Sequence, residues 1–486
     1  MRTLPEAMEE TPRRNATLLL VLLGGAAVLA GCLSSRAEPD LAAIYNREAQ
    51  YQGIERNPVI LIPGVLGSRL RDETSGQIVW GAFTGAFADP DEPAGQRLVA
   101  LPMEEGRSLR ELIDGVEPDG ALESVRIKVL GLPIQLRAYA QILSVLGIGG
   151  YRDAAGALES VDYGSDHFTC FQFDYDWRRD NVENAQRLHA FIQETRATLQ
   201  AQYAERYGVE DYDIKFDIVA HSMGGMITRY FLRYGAQDLP ANGSLPELTW
   251  EGAKHVERVV LVGTPNAGSP LTVMQLVEGL KTPAVTPDYP AAILGTMPAV
   301  YQLLPRDRHR TLVDAAQPEA SIDSVLHADY WERMQWGLAD PAQDEVLQNL
   351  LPVVSQRDDR RRIALDHQRK SLRRAEQLFA ALDLRAERPP GLELKLIASD
   401  AAPTLARLAV DRDEGTVTAY SYEPGDDTVL RTSALMDERV GDEWAPMLVS
   451  PIDWSSVTFI FADHLEMTQS IAFADNLLYY LLEMPR

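Results

Sequence analysis

A mostly parallel, doubly wound α/β sheet with an inserted cap is the fold class this sequence predicts. Three observations predict it: apolar runs alternating with helical stretches, a serine between small residues at a strand-to-helix junction, and a histidine just after the last apolar run. Strands buried on both faces read as continuous apolar runs, and their alternation with helices argues for parallel pairing. With 486 residues, 45% of them hydrophobic, the chain can bury a sizeable core, as one large α/β domain with insertions or as two domains.

The elements follow in chain order. Residues 1–31 read as a signal peptide of lipoprotein type: Arg13 and Arg14 precede an apolar stretch, Ala16 to Ala30, that is short for a membrane span. Leu29-Ala30-Gly31-Cys32 resembles a bacterial lipoprotein cleavage box, with Cys32 as the lipidated residue. Glu6, Glu9 and Glu10 are unusual there, and an uncleaved anchor helix is the alternative. Acyl chains contribute about 0.8 kcal/mol per buried methylene, so several would hold the protein at a membrane. Leu33 stands where an inner-membrane retention signal would place aspartate, which favours the outer membrane of a bacterial envelope. Residues 32–56 read as the lipidated tether.

Pro58-Val59-Ile60-Leu61-Ile62 is the first buried strand and opens directly into Pro63-Gly64-Val65-Leu66-Gly67-Ser68. Residues from about 70 to 130 read as an irregular, lid-like insertion, followed by a helix at about 136–147, a strand at Thr169–Tyr175 and a helix at about 182–206. Further strands are expected just before Ser222, at Val259–Val262, Leu392–Ile397 and Val457–Phe461, with hairpin or edge structure at Thr416–Tyr422. The α/β core thus divides into residues 57–269 and 391–486, and residues 270–390, too long for a simple crossover, read as a cap. His309, His327 and His367 in that cap are expected at the surface.

A formal charge of −25 argues against nucleic acid and against electrostatic docking on anionic lipid, so membrane contact requires apolar surface or the covalent anchor. Cys170 is the only cysteine besides Cys32, so an intramolecular disulfide is not expected, and Cys170 reads as a small buried residue. Zinc-type Cys/His spacing is absent, and no metal or cofactor is called for. The residues define no oligomeric state.

Ala220-His221-Ser222-Met223-Gly224 follows the apolar pair Ile218-Val219 and precedes a helical stretch, the setting of a nucleophile elbow. A serine hydroxyl needs a base, and the base needs an orienting acid. His464 is the histidine that follows a late strand, whereas His221, adjoining the serine, reads as structural. In Gly425-Asp426-Asp427-Thr428-Val429 either aspartate could orient the base, and Asp426 is preferred. An oxyanion hole needs two backbone N–H groups, expected from Met223 and, in the first loop, Leu66.

Five motifs in this order, Pro58 to Ser68, Tyr175-Asp176-Trp177-Arg178, Ala220 to Gly225, Gly425 to Val429 and His464-Leu465-Glu466-Met467, resemble the lecithin:cholesterol acyltransferase family. The resemblance, spread over roughly residues 57–484, implies the α/β-hydrolase fold. It also implies Ser222, Asp426 and His464 as the catalytic residues and Leu66 and Met223 as oxyanion donors. The implied chemistry is an acyl-serine intermediate passed to water or to a lipid alcohol. Some relatives close a lid after the first strand with a disulfide. This chain lacks cysteines there, and residues 75–95, around Trp80, are expected in that role. Trp80 and Trp177 are the expected substrate contacts, although Tyr175–Arg178 also reads as a strand end with a buried salt bridge. The function expected is acyl transfer on membrane lipid esters, as O-acyltransferase or phospholipase. A carboxylesterase on other esters and a non-catalytic binding lipoprotein are the alternatives.

Overall fold

A computed structural model describes residues 38–81, 87–122, 124–129, 132–137, 139–155, 168–281, 287–322, 325–439 and 445–484, with only the backbone of 124–129 and 132–137. The signal-peptide segment and Cys32 lie outside the described residues. Two units result: in the first, ending at Ile44, Leu41–Ile44 forms one helical turn; the second, from Tyr45, holds all that follows. Its strands are β1 (Val59–Ile62), β2 (Ser68–Asp72), β3 (Ile78–Trp80), β4 (Val116–Ala121), β5 (Ser124–Val129), β6 (Leu132–Arg137), β7 (Cys170–Gln172), β8 (Phe216–His221), β9 (Val256–Val262), β10 (Leu312–Asp314), β11 (Glu393–Ser399), β12 (Ala402–Val410), β13 (Val417–Gly425) and β14 (Ser456–Ile460).

The central sheet runs β14-β11-β9-β8-β1-β7, and every neighbouring pair is parallel. The four residues of β1 and all six of β8 are buried, as expected of strands covered on both faces. The helices Asn181–Tyr207 and Met223–Tyr234 supply part of that cover: Val182, Ala185, Leu188 and Ile192 of the first and Met226, Ile227, Tyr230 and Phe231 of the second join one core with Ile60, Ile218 and Val259. Because all strands run the same way, the loops after β1, β8, β9 and β14 open at one edge of the sheet, where ligands of open α/β sheets bind.

Three regions differ from the sequence reading. The stretch after β1 is not irregular: β3-β2-β4 form an antiparallel sheet and Pro93–Val99 is helical. The helix expected at 136–147 begins at Ala140, because Leu132–Arg137 pairs as β6 with β5. His367, expected at the surface, is 1% exposed and His309 is half-buried, while His327 is exposed as expected. For His367 the reason lies in the helix Arg357–Asp383, whose charged run hides an inward stripe that includes Ala364, His367, Ser371, Ala375 and Leu378. His367 Nε2 donates to the Thr296 carbonyl at 2.9 Å.

The end of that helix is tied to the elbow helix Met223–Tyr234. Arg229 donates to the Leu382 carbonyl at 2.7 Å and Arg233 to the same oxygen at 3.1 Å, while Arg306 pairs with Asp383 at 3.1 Å. Arg229 and Arg233 satisfy carbonyls that a helix C-terminus leaves without partners, and all three guanidinium groups favour its negative dipole end. Strand β10 pairs in parallel with β12, which forms a hairpin with β13, so the segment at 270–390 also joins the hairpin that precedes Asp426.

Burial pushes the His221 imidazole down to about 3 and those of His309 and His367 to about 4. Unfolded, each takes a proton near pH 6.5, so between that pH and about 4 the unfolded chain binds more protons. Stability is therefore expected to fall as pH drops through that window, by on the order of 1–2 kcal/mol per histidine by pH 5. Thermal melting between pH 7 and 4.5 checks this; His367→Gln should make the decline shallower, and an identical slope in that variant would contradict a neutral buried imidazole.

Candidate active site

Ser222 follows β8 at φ +52° and ψ −127° and precedes the helix that starts at Met223. Such backbone is strained by roughly 1–3 kcal/mol and persists only where its surroundings fix it. Here the Ser222 N–H donates to the Val262 carbonyl at 2.8 Å. A Cβ at Gly224 would lie 2.4 Å from the Pro63 carbonyl oxygen, one at Gly225 2.1 Å from Thr264 Oγ1, and one at Gly64 2.7 Å from the Ser222 Cβ. Glycine at these positions therefore lets the loops after β1 and β9 close on the serine turn.

His464 lies in the loop after β14, 9% exposed, and its Nε2 is 3.0 Å from Ser222 Oγ. Its Nδ1 is 2.8 Å from Asp426 Oδ2, and its backbone N–H donates to the Asp426 carbonyl at 2.8 Å. An ionised carboxylate only accepts, so Nδ1 carries the proton and Nε2 presents a lone pair to the serine hydroxyl. Asp426, at the end of β13 and 2% exposed, accepts two backbone N–H groups on Oδ1, from Thr428 at 3.0 Å and Val429 at 2.6 Å. Those bonds leave Oδ2 to the imidazole. Asp427, the neighbour weighed against it, turns away at φ +74°, and its N–H donates to Thr404 Oγ1.

The first loop is held from several sides. Tyr175 Oη donates to the Pro63 carbonyl at 2.8 Å, Ser68 Oγ accepts from the Tyr175 N–H at 3.0 Å, and Trp177 Nε1 donates to the Ser68 carbonyl at 3.2 Å. Leu66 is left-handed at φ +62°, and its carbonyl accepts from Trp80 Nε1 at 2.8 Å. Behind Trp177, Arg178 is fully buried: it grips Asp176 through two bonds of 2.9 and 2.8 Å, reaches Asp114 at 2.8 Å, and donates to the carbonyls of Leu98 and Val99.

Above the serine opens a cavity of about 250 Å³, lined by Ser222, His464, Leu66 and Trp177 and by apolar side chains such as Leu294 and Leu303. Thus Ser222, His464 and Asp426 come together, and Leu66 borders the same space. Met223 is fully buried directly after the serine, and its N–H begins the helix, where no intrahelical acceptor exists. Trp177 lines the cavity. Trp80 does not: its indole N–H needs an acceptor and finds Leu66, and its ring packs on Trp177 at 5.4 Å and Tyr289 at 5.7 Å. Sequence reasoning missed the lining residues Leu271, Gln275, Leu294, Val300 and Leu303, which are apolar or neutral positions of a segment with no strand-end signal. It also missed Tyr139, whose hydroxyl accepts the Gly64 N–H at 2.7 Å. Among the described residues no group of acidic, histidine or cysteine side chains is arranged to hold a metal.

Replacing Arg178 with alanine would strand the Asp176 carboxylate away from water. Loss of one partner of a buried pair costs about 3–5 kcal/mol, and urea unfolding of Arg178→Ala is expected to register a loss of that size.

Comparison with known proteins agrees with this architecture. Residues 143–344 match the family model of lecithin:cholesterol acyltransferase, a span holding the Tyr175–Arg178 and Ser222 motifs but neither the first loop nor Asp426 and His464. No curated protein sequence matches the chain. Among solved structures, the crystal structure of a Tle4–Tli4 complex is similar over 89% of this chain and 99% of that chain, at 16% identity and a TM-score of 0.54. A lipase of Bacillus licheniformis, BlEst2 in mature form, aligns over 90% of this chain and 95% of its own, at 12% identity and a TM-score of 0.28. EstA from Clostridium botulinum aligns over 90% and 91%, at 13% identity and 0.33. The first of these likenesses bears on the fold alone. With an all-parallel central sheet and the elbow turn after β8, this chain has the α/β-hydrolase fold, and over residues 143–344 it is similar to the lecithin:cholesterol acyltransferase family.

Proposed function

We propose that this protein is a serine-dependent acyl-transfer enzyme acting on lipid esters, as an O-acyltransferase or phospholipase. The observation that carries this reading is the line from Ser222 Oγ through the His464 ring to Asp426, at 3.0 and 2.8 Å, opening onto an apolar cavity. Burial of the acyl chain against Leu294 and Leu303 would bring its ester carbonyl over Ser222. Ser222 Oγ then attacks the carbonyl carbon while His464 Nε2 takes the hydroxyl proton. The oxyanion that forms would be met by the N–H groups of Leu66 and Met223, the second helped by the positive end of its helix. Collapse expels the alcohol, which takes the proton back from His464 and leaves an acyl ester on Ser222. Water or a lipid alcohol, activated by the same imidazole, releases the acyl group.

A second reading, an esterase for short acyl chains, is favoured by the cavity volume. An apolar cavity of about 150 Å³ accepts benzene, so about 250 Å³ accommodates roughly ten carbon-sized atoms by proportion. A chain-length series separates the two readings.

We further propose that lipid on Cys32 holds the enzyme at a bacterial envelope membrane, the outer membrane being favoured. No described helix is long and apolar enough to cross a membrane. Cys32→Ser is expected to release active protein into the soluble fraction; protein still sedimenting with membranes after a high-salt wash would argue against the anchor.

Ser222→Ala and His464→Ala are expected to lower kcat by at least about a thousandfold with melting temperature preserved, and Asp426→Asn by less. Asp427→Asn should stay within a few fold of wild type. The decisive assay incubates the full-length protein with labelled phospholipid vesicles, with and without a lipid alcohol, and resolves the products. Free fatty acid alone identifies a phospholipase, and an ester of the added alcohol identifies a transferase. Near-wild-type turnover by Ser222→Ala would end the serine mechanism.

A further inference from the structure

A line of hydrogen bonds that takes no part in the proton transfers joins the two halves of the site. The Gly64 N–H donates to Tyr139 Oη at 2.7 Å, Tyr139 Oη lies 3.0 Å from His221 Nδ1, and His221 Nε2 lies 3.2 Å from the His464 carbonyl oxygen. Valence fixes the direction of each bond. The His464 carbonyl can only accept, so His221 Nε2 carries the ring proton. The neutral ring then presents a lone pair at Nδ1, and Tyr139 Oη, which accepts from Gly64, donates its own proton there.

Tyr139 is 3% exposed and His221 2%, so neither finds an alternative partner in water. Burial, reinforced by the His464 ring, keeps His221 uncharged, and burial pushes the Tyr139 phenol above its ordinary value. The direction of the line is therefore the same at any working pH.

Both ends meet groups the reaction uses. Gly64 opens the loop that carries Leu66. At the other end, His464 is the one buried residue of 461–465; Phe461, Asp463 and Leu465 are exposed, so side-chain packing does little to hold that loop. The His464 backbone is fixed instead by two bonds, its N–H to Asp426 and its carbonyl from His221. The His221 ring also lies against the His464 ring, with centroids 4.9 Å apart.

We propose that Tyr139 and His221 are positioning residues, a strut that sets the distance between the Gly64–Leu66 loop and His464, and thereby between the oxyanion site and the general base. The proposal rests on the roles given above to Ser222, His464 and Leu66. Misplacement of a reacting group by about 1 Å can cost a hundredfold in rate.

The test uses full-length wild-type protein, Tyr139→Phe, His221→Leu, His221→Gln and the Tyr139→Phe/His221→Leu double variant. Two quantities are read: the maximal rate at which a fluorophosphonate labels Ser222, and kcat and KM on a soluble ester. Tyr139→Phe and His221→Leu should each lower the labelling rate and kcat by about ten- to a hundredfold, with KM within about twofold. His221→Gln, whose side-chain N–H can reach the His464 carbonyl, should recover most of the loss. The double variant should be no slower than the slower single variant, because residues acting as one unit do not add.

Wild-type labelling rates in both single variants would overturn the strut, as would losses that multiply in the double variant. Should His221→Leu fail to fold, Tyr139→Phe and His221→Gln carry the comparison, and equal rates in Tyr139→Phe and wild type overturn the strut. A wild-type Ser222 that takes no label overturns the serine mechanism itself, whereas a labelled wild type with an unaffected Tyr139→Phe overturns the strut alone.

Discussion

The site depends first on how closely two backbones approach. Pro63 and Gly64 lie so near the serine turn that a Cβ at Gly64 would strike Ser222 and one at Gly224 would strike the Pro63 carbonyl. That contact confines Ser222 to a conformation an L-residue rarely takes, and it brings the loop holding Leu66 to the edge of the cavity. The parallel register of β1 with β8, Ile62 opposite Ala220, delivers both loops at the same height. The strain at one residue is small beside the burial of β1, β8 and β9, whose apolar side chains are almost wholly withdrawn from water.

Around this contact, buried polar groups act as cross-links. Cys170 is buried and free, and arginines join loops in places where a secreted protein could use disulfides. Arg178 binds the end of β7 to the carbonyls of Leu98 and Val99, and Arg229, Arg233 and Arg306 bind the elbow helix and the loop after β9 to the end of a helix at 383. Such buried ions add little net stability over apolar packing, yet removing one partner leaves the other uncompensated.

Much of this was legible in the sequence because buried parallel strands advertise themselves. Val59–Ile62 and Val259–Val262 are uninterrupted apolar runs, and Ser222 and His464 each follow a strand, the second part-buried and interrupted by Thr458, so strand-end placement marks both as candidates. The antiparallel sheet after β1 was not legible, since Ser68–Asp72 is largely polar and Val116–Ala121 contains proline and glycine. His367 was misplaced because the arginine-rich start of its helix outweighed a buried stripe at helical spacing. Tyr139 carries no local signal at all: its partners are 75 and 82 residues away. Trp80 was read as a substrate contact because it is aromatic and near the first loop, yet an indole N–H can equally be spent on holding that loop in place.

The separation of the three central side chains along the chain bears on how the molecule matures. Ser222 and His464 are 242 residues apart and Asp426 lies 38 before the histidine, so each contact closes a long loop. Closing such loops is entropically costly, and parallel pairings of this kind form late. Strand β14, at the sheet edge, must dock on β11 before His464 can reach the serine. On the mechanism proposed above, a chain in which β14 has not docked would hold Ser222 without its base. That dependence would keep the proposed chemistry silent until synthesis and folding are complete.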